Sequence, residues 1–128
     1  MSNYTIKDYY ELEPMKYWAV PKGNSFAETI LRDPLKYDNY SFTPKMDGEW
    51  NKAIIDDGHV AMLARNRNVN KVFADRYERM PHIVEELKSQ LPNQTVLLGE
   101  LAFEDITKTS KDVGSIMRSL PPKARAKQ

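Results

Sequence analysis

The residues best suited to chemistry in this 128-residue chain stand in one short frame, Lys45-Met46-Asp47-Gly48, where an apolar stretch runs into a turn. A lysine amine that has shed its proton is a nucleophile and the ammonium is not, so such a lysine calls for a charge partner. Glu100 is the candidate. It is isolated in the apolar run TVLLGELAF from Thr95 to Phe103, and a carboxylate there is costly unless it binds a cation, a hydroxyl or a metal. Both signals are expected to point inward to one site. Each also has a plainer reading: a surface lysine before an Asp-Gly turn, and a carboxylate on the wet face of an edge strand. Arg65, in the polar stretch Arg65-Asn66-Arg67-Asn68, reads on its own as a solvated loop arginine.

The elements that must position these residues follow an α+β order of helix, three strands, helix, strand and helices. Asn24 or Ser25 can cap a short helix through Phe26, Ile30 and Leu31, before Pro34 disrupts it. Tyr40 to Met46, Glu49 to Ile55 and His59 to Ala64 are β-favouring, and Asp56-Asp57-Gly58 joins the last two as a hairpin turn. Arg65 to Asn70 is expected to be a loop. From Pro81 to Leu91 the residues Ile83, Leu87 and Leu91 form one helical stripe, which Pro92-Asn93 ends. Thr95 to Phe103 is the most apolar strand. Ser110 to Leu120 and Pro121 to Gln128 read as two short helices, with Thr109 or Ser110 as N-cap of the first. Residues 1–39, with an aromatic front segment (Tyr4, Tyr9, Tyr10, Tyr17, Trp18), are set apart from 40–128.

Composition bounds the answer. At 41% hydrophobic and 29% charged, the chain is expected to form one small soluble domain without room for a second of ordinary size. The net charge of +1 announces neither a nucleic-acid nor a membrane partner, although six cations against Asp112 make the stretch from Lys108 onward basic. No apolar run approaches the roughly 18 residues of a membrane span, and the opening MSNYTIKDYYELEP is unlike a signal peptide. No membrane association and a cytoplasmic address are expected. Without cysteine there is no disulfide or thiolate metal site, and the lone His59 and His82 rule out a His-rich cluster and receive no role.

Taken together, Thr43-Pro44-Lys45-Met46-Asp47-Gly48, Ala64-Arg65-Asn66 and Leu98-Gly99-Glu100-Leu101 make the chain resemble the ATP-dependent DNA ligases, of phage or bacterial type, within the covalent nucleotidyltransferase superfamily. The resemblance covers roughly residues 40–128 and implies the front half of a nucleotidyltransferase domain (an ATP-grasp-like ligase adenylation domain), with a mainly antiparallel sheet and flanking helices. By it, Lys45 attacks the α-phosphate of ATP to give lysyl-AMP, and Asp47 positions the lysine or the metal. Thr43, Arg65 and Glu100 contact the nucleotide, with Glu100 also a ligand for Mg²⁺. ATP and Mg²⁺ are the implied cofactors and nicked duplex DNA the implied substrate. Three positions depart from the family pattern: Trp50 stands where relatives have arginine, Ala64 replaces serine and Leu98 replaces aspartate.

The family would continue beyond residue 128 with an adenine-stacking strand, a second metal-binding carboxylate, a lysine strand and an OB-fold domain. The expectation is therefore weak or absent nick sealing by this chain alone, and a separately encoded C-terminal half as a partner. Two alternatives stay open: a non-catalytic remnant or subunit that binds nucleotide or DNA, and an RNA ligase or capping-type enzyme, which shares the lysine and the glutamate. Met46 and Phe103 are expected in the core.

Overall fold

In the computed structural model, residues 5–14, 32–39, 41 and 43–128 are described. The chain divides into two compact units, Met1–Pro14 with Met46–Gln128, and Met15–Lys45. In the smaller unit a 3-10 turn spans Pro34–Tyr37, opened by Pro34, whose fixed φ suits a first turn. The expected helix around Phe26 and Ile30 lies outside the described residues, as do Tyr4, Tyr17 and Trp18.

The larger unit is built on β1 (Glu49–Asp56), β2 (His59–Arg67), β3 (Phe73–Asp75) and β4 (Thr95–Leu101). They form an antiparallel sheet in the order β3-β2-β1-β4. The hairpin between β1 and β2 turns as its sequence demands: Asp57 and Gly58 have φ of 49° and 78°. Positive φ at both central positions matches the twist of the flanking strands, and Asp-Gly tolerates it best.

Alternation sorts β1 and β2 into two faces. Ala53, Ile55, Val60 and Met62 are buried under α2 (Pro81–Gln90), α3 (Ser110–Met117) and α4 (Pro121–Ala126). Ile54, Ala61 and Leu63 face the other way, toward Ile6, Tyr9 and Tyr10 of α1 (Ile6–Tyr10). Strand β1, covered on both faces, is therefore buried from Asn51 to Ile55. Thr109 caps α3: its side chain accepts from the Lys111 N–H at 3.3 Å, while its own N–H donates to Asp112 Oδ2 at 2.8 Å. The prolines at the start of α2 and α4 occupy positions where a missing N–H costs nothing. Glu49 ties β1 to its surroundings through Arg76 at 3.5 Å and Arg118 at 3.8 Å.

Several expectations are corrected. None of the described residues in the stretch from Tyr40 to Met46 is in a strand; Pro44 offers no N–H to a ladder and restricts Thr43. Arg65 is not in a loop, because β2 runs on to Arg67 and pairs there with Phe73 across a bulge. The reversal between them is made by Asn68, whose Oδ1 accepts from the Asn70 and Val72 N–H groups at 2.9 and 3.3 Å. β4 stops at Leu101 and α3 at Met117. Met46, expected in the core, is 49% exposed, whereas Phe103 does pack against the core. Among the described residues no helix is long and apolar enough to cross a membrane.

Candidate functional site

Gly48 is where the lysine motif meets the sheet. Its N–H donates to Glu100 Oε1 at 2.9 Å, joining two segments 52 residues apart. A Cβ at this position would collide with the Leu101 carbonyl oxygen and come within 3.0 Å of Glu100 Cγ. Only glycine allows the backbone to lie so close to β4, which gives the motif's last residue a physical reason.

Glu100 stands opposite Trp50 in the β1–β4 register. One step beyond the Asn51↔Ala64 pair, Arg65 is level with Trp50 on the other side of β1. Arg65, Trp50 and Glu100 thus form one row across the end of the sheet at which Asp47 and Gly48 enter. At ordinary strand spacing the outer two backbones are about 10 Å apart. Arg65, Asp47 and Glu100 are exposed and Trp50 is half-buried. Glu100 is not turned into the core: among the described residues β4 is an edge strand, and the Glu100 carboxylate accepts on one oxygen from the Gly48 amide. Thr43 and Lys45 are also exposed and belong to the smaller unit.

Among the described residues, the charge most deeply buried is one that the sequence did not single out. Lys52, on β1, is 0% exposed. Its Nζ donates to the carbonyl oxygens of Tyr10 at 3.1 Å and Leu12 at 2.7 Å, and lies 4.9 Å from the centre of the Phe73 ring. Arg67 stacks on the same ring at 4.5 Å and pairs with Glu11 at 2.7 Å. Burial pushes the Lys52 pKa below the usual lysine value; Glu11 pulls it up and Arg67 pushes it down again. The available signal was a cation inside Asn51-Lys52-Ala53-Ile54-Ile55, the same anomaly that drew attention to Glu100.

Beneath β4, on the face that carries α2 and α3, lies a cavity of about 630 Å³. Met80, Ile83, Leu87, Leu97 and Ile116 give it apolar walls, and Asn51 and Glu100 reach its lining. Asn51 is 7% exposed, and its Nδ2 makes only a weak contact with Met62 Sδ at 3.9 Å. Among the described residues no group of three or more His, Cys, Asp or Glu side chains could hold a metal ion. Mg²⁺ bound with a nucleotide needs only one or two carboxylates, the phosphates and water supplying the rest, and exposed Asp47 and Glu100 are donors of that type.

Compared with protein-family models, curated proteins and solved structures, the chain finds no match. What stands is the arrangement within the larger unit, which offers a cation, an aromatic ring and a carboxylate in a row at the end of the sheet where Asp47 and Gly48 enter.

Proposed function

We propose that the chain is an adenylating module of ATP-dependent DNA ligase type, in which Lys45 is the nucleophile. The observation that supports this reading is the Gly48–Glu100 hydrogen bond, which ties the glycine that ends one of the motifs on which the resemblance rests to the glutamate of another. Neutral Lys45 Nζ attacks the α-phosphorus of ATP. An N–P bond forms, the bond from that phosphorus to the β-phosphate oxygen breaks, pyrophosphate leaves, and the nitrogen gives its proton to solvent.

Arg65 neutralises phosphate charge or holds the ribose, and Glu100 uses the oxygen not taken by Gly48 to accept a ribose hydroxyl. Asp47 orients the lysine, and Thr43 contributes a hydroxyl to the nucleotide. Asp47 and Glu100 would hold Mg²⁺, whose chemistry when bound is charge neutralisation on the triphosphate. The lysyl N–P bond would break as a 5′-phosphate oxygen at a nick in duplex DNA takes the AMP, returning the lysine amine, and attack of the nick's 3′-hydroxyl on that 5′-phosphorus would then expel AMP as the phosphodiester forms.

Incubation of the purified chain with α-labelled ATP and Mg²⁺, followed by a denaturing gel and intact mass, tests the proposal. The expected result is a covalent AMP adduct that Lys45→Ala abolishes. Folded chain that forms no adduct would sink it and leave a non-catalytic nucleotide-binding subunit as the better reading.

A further inference from the structure

Three guanidinium groups gather about one carboxylate where β1 begins. Glu49 Oε2 lies 3.5 Å from Arg76 Nη1, and Glu49 Oε1 lies 3.8 Å from Arg118 Nη1. Both separations exceed the roughly 2.7–2.9 Å of a charge-assisted hydrogen bond. Among the described residues neither guanidinium donates a hydrogen bond, although the Arg76 side chain is only 24% exposed. Arg79, from the 3-10 turn Tyr77–Arg79, gives its Nε–H to the Ser119 carbonyl oxygen at 2.9 Å and keeps its two terminal nitrogens free of described partners. Burial holds the Arg76 pKa below the usual arginine value; Glu49 raises it, and Arg79 and Arg118 lower it further. Glycine makes the gathering possible. A Cβ on Gly114 would come within 2.6 Å of Glu49 Oε1 and 2.7 Å of Arg118 Nη2, so the Arg118 fork lies back over its own helix only because that position is bare.

We infer that Arg76, Arg118 and Arg79 form a binding site for a phosphate group, with Glu49 holding the first two guanidiniums in place. Three cations against one anion leave two positive charges in excess, the complement of a phosphate dianion. Each planar fork can aim two N–H groups at a pair of oxygens, and here those donors are unspent. A buried charge group without hydrogen bonds calls for a partner, and an oxyanion supplies one. Lys127, whose Nζ lies 2.7 Å from Ser115 Oγ and 3.2 Å from Ser119 Oγ, adds to the field from α4. The carbonyl end of α3 opposes an anion over its last turn only, and weakly beside three guanidiniums. The phosphate is either free, as the inorganic ion or a monoester, or part of a nucleic-acid backbone. The inference stands apart from the Lys45 reading, since none of these side chains has a part in forming lysyl-AMP.

Titration of the ¹⁵N-labelled chain with inorganic phosphate at pH 8 and constant ionic strength tests it. Saturable shifts are expected at the Arg76 and Arg118 Nε–H signals and at the Gly114 amide. Acetate is expected to bind about tenfold more weakly or worse, and Arg76→Gln to weaken phosphate by about the same factor. Gly114→Ala keeps every charge and favours the helix, yet displaces Glu49 and Arg118, and is expected to weaken phosphate as well. Lys7→Gln removes the same charge from α1, on the other face of the sheet, and is expected to change nothing. A short duplex DNA without terminal phosphates separates the sources. Shifts at the same three residues assign the site to a backbone phosphate, and their absence assigns it to the free ion or a monoester. No saturable shift with phosphate, equal binding of acetate, binding that survives Arg76→Gln or Gly114→Ala, or an equal loss in Lys7→Gln would each overturn the inference.

Discussion

Gly48 and Lys52 lie four residues apart and show two ways in which a side chain, or its absence, fixes a fold. At Gly48 a methyl group has nowhere to go, because the backbone of β4 occupies the space. Gly48→Ala is expected to destabilise the chain by about 1–3 kcal/mol through overpacking. It is also expected to lower AMP-adduct formation; urea denaturation and the labelling assay read the two effects separately. At Lys52 the reverse holds, because a charge taken out of water is tolerated only with two carbonyl oxygens and an aromatic face around it. Lys52→Met keeps the apolar stem and removes the donor, leaving the Tyr10 and Leu12 carbonyls without their partner. Chymotrypsin is expected to cut at Tyr9 or Tyr10 several-fold faster in that variant, with α2 and α3 still protected.

Among the elements, those whose information is local were legible in the sequence. The Asp57-Gly58 turn, the α2 stripe and the cap of α3 are each specified by a few neighbouring residues, and each appears where its signals put it. β3 was not legible, since three residues carry no period and its pairing depends on the Asn68 reversal. The described part of the stretch from Tyr40 to Met46 was misread because β-favouring residues outweighed the proline among them. The capping boxes of α1 and α3 also set an acid limit. Hydrogen bonds from the Thr5 and Thr109 backbones hold the Asp8 and Asp112 carboxyls below the usual value of 3.8. A depressed folded pKa stabilises above the unfolded value and is lost as pH falls through the folded one, so helical ellipticity is expected to drop below about pH 3.8 and not above it. Asp112→Asn is expected to flatten that limb, and Thr109→Ala to cost about 1 kcal/mol in urea denaturation at neutral pH.

At the scale of the molecule, one strand organises the larger unit. β1 meets β2 through a local hairpin, but meets β4 and the N-terminal segment only across 40 or more residues of sequence, as the Gly48–Glu100 and Lys52–Leu12 bonds show. Long-range partners of this kind are what residue spacing does not reveal. Glu100 stood out as a carboxylate in an apolar run, but its position on an edge strand, exposed and bonded to a backbone amide, followed from the strand order. Lys52 carried the same signal in a strand that proved central, and there the charge is fully buried.

The same amide clasps bear on chemical ageing. An Asp-Gly pair is the sequence most open to succinimide formation, because the glycine nitrogen meets little hindrance in attacking the aspartate carboxyl before it. This chain has two such pairs, at Asp47 and Asp57. In each the glycine N–H is already committed, Gly48 to Glu100 Oε1 at 2.9 Å and Gly58 to Asn93 Oδ1 at 3.2 Å. A nitrogen held by its proton in that way is turned from the attack, so the folded protein shields from isomerisation the two aspartates that its unfolded chain leaves most exposed to it.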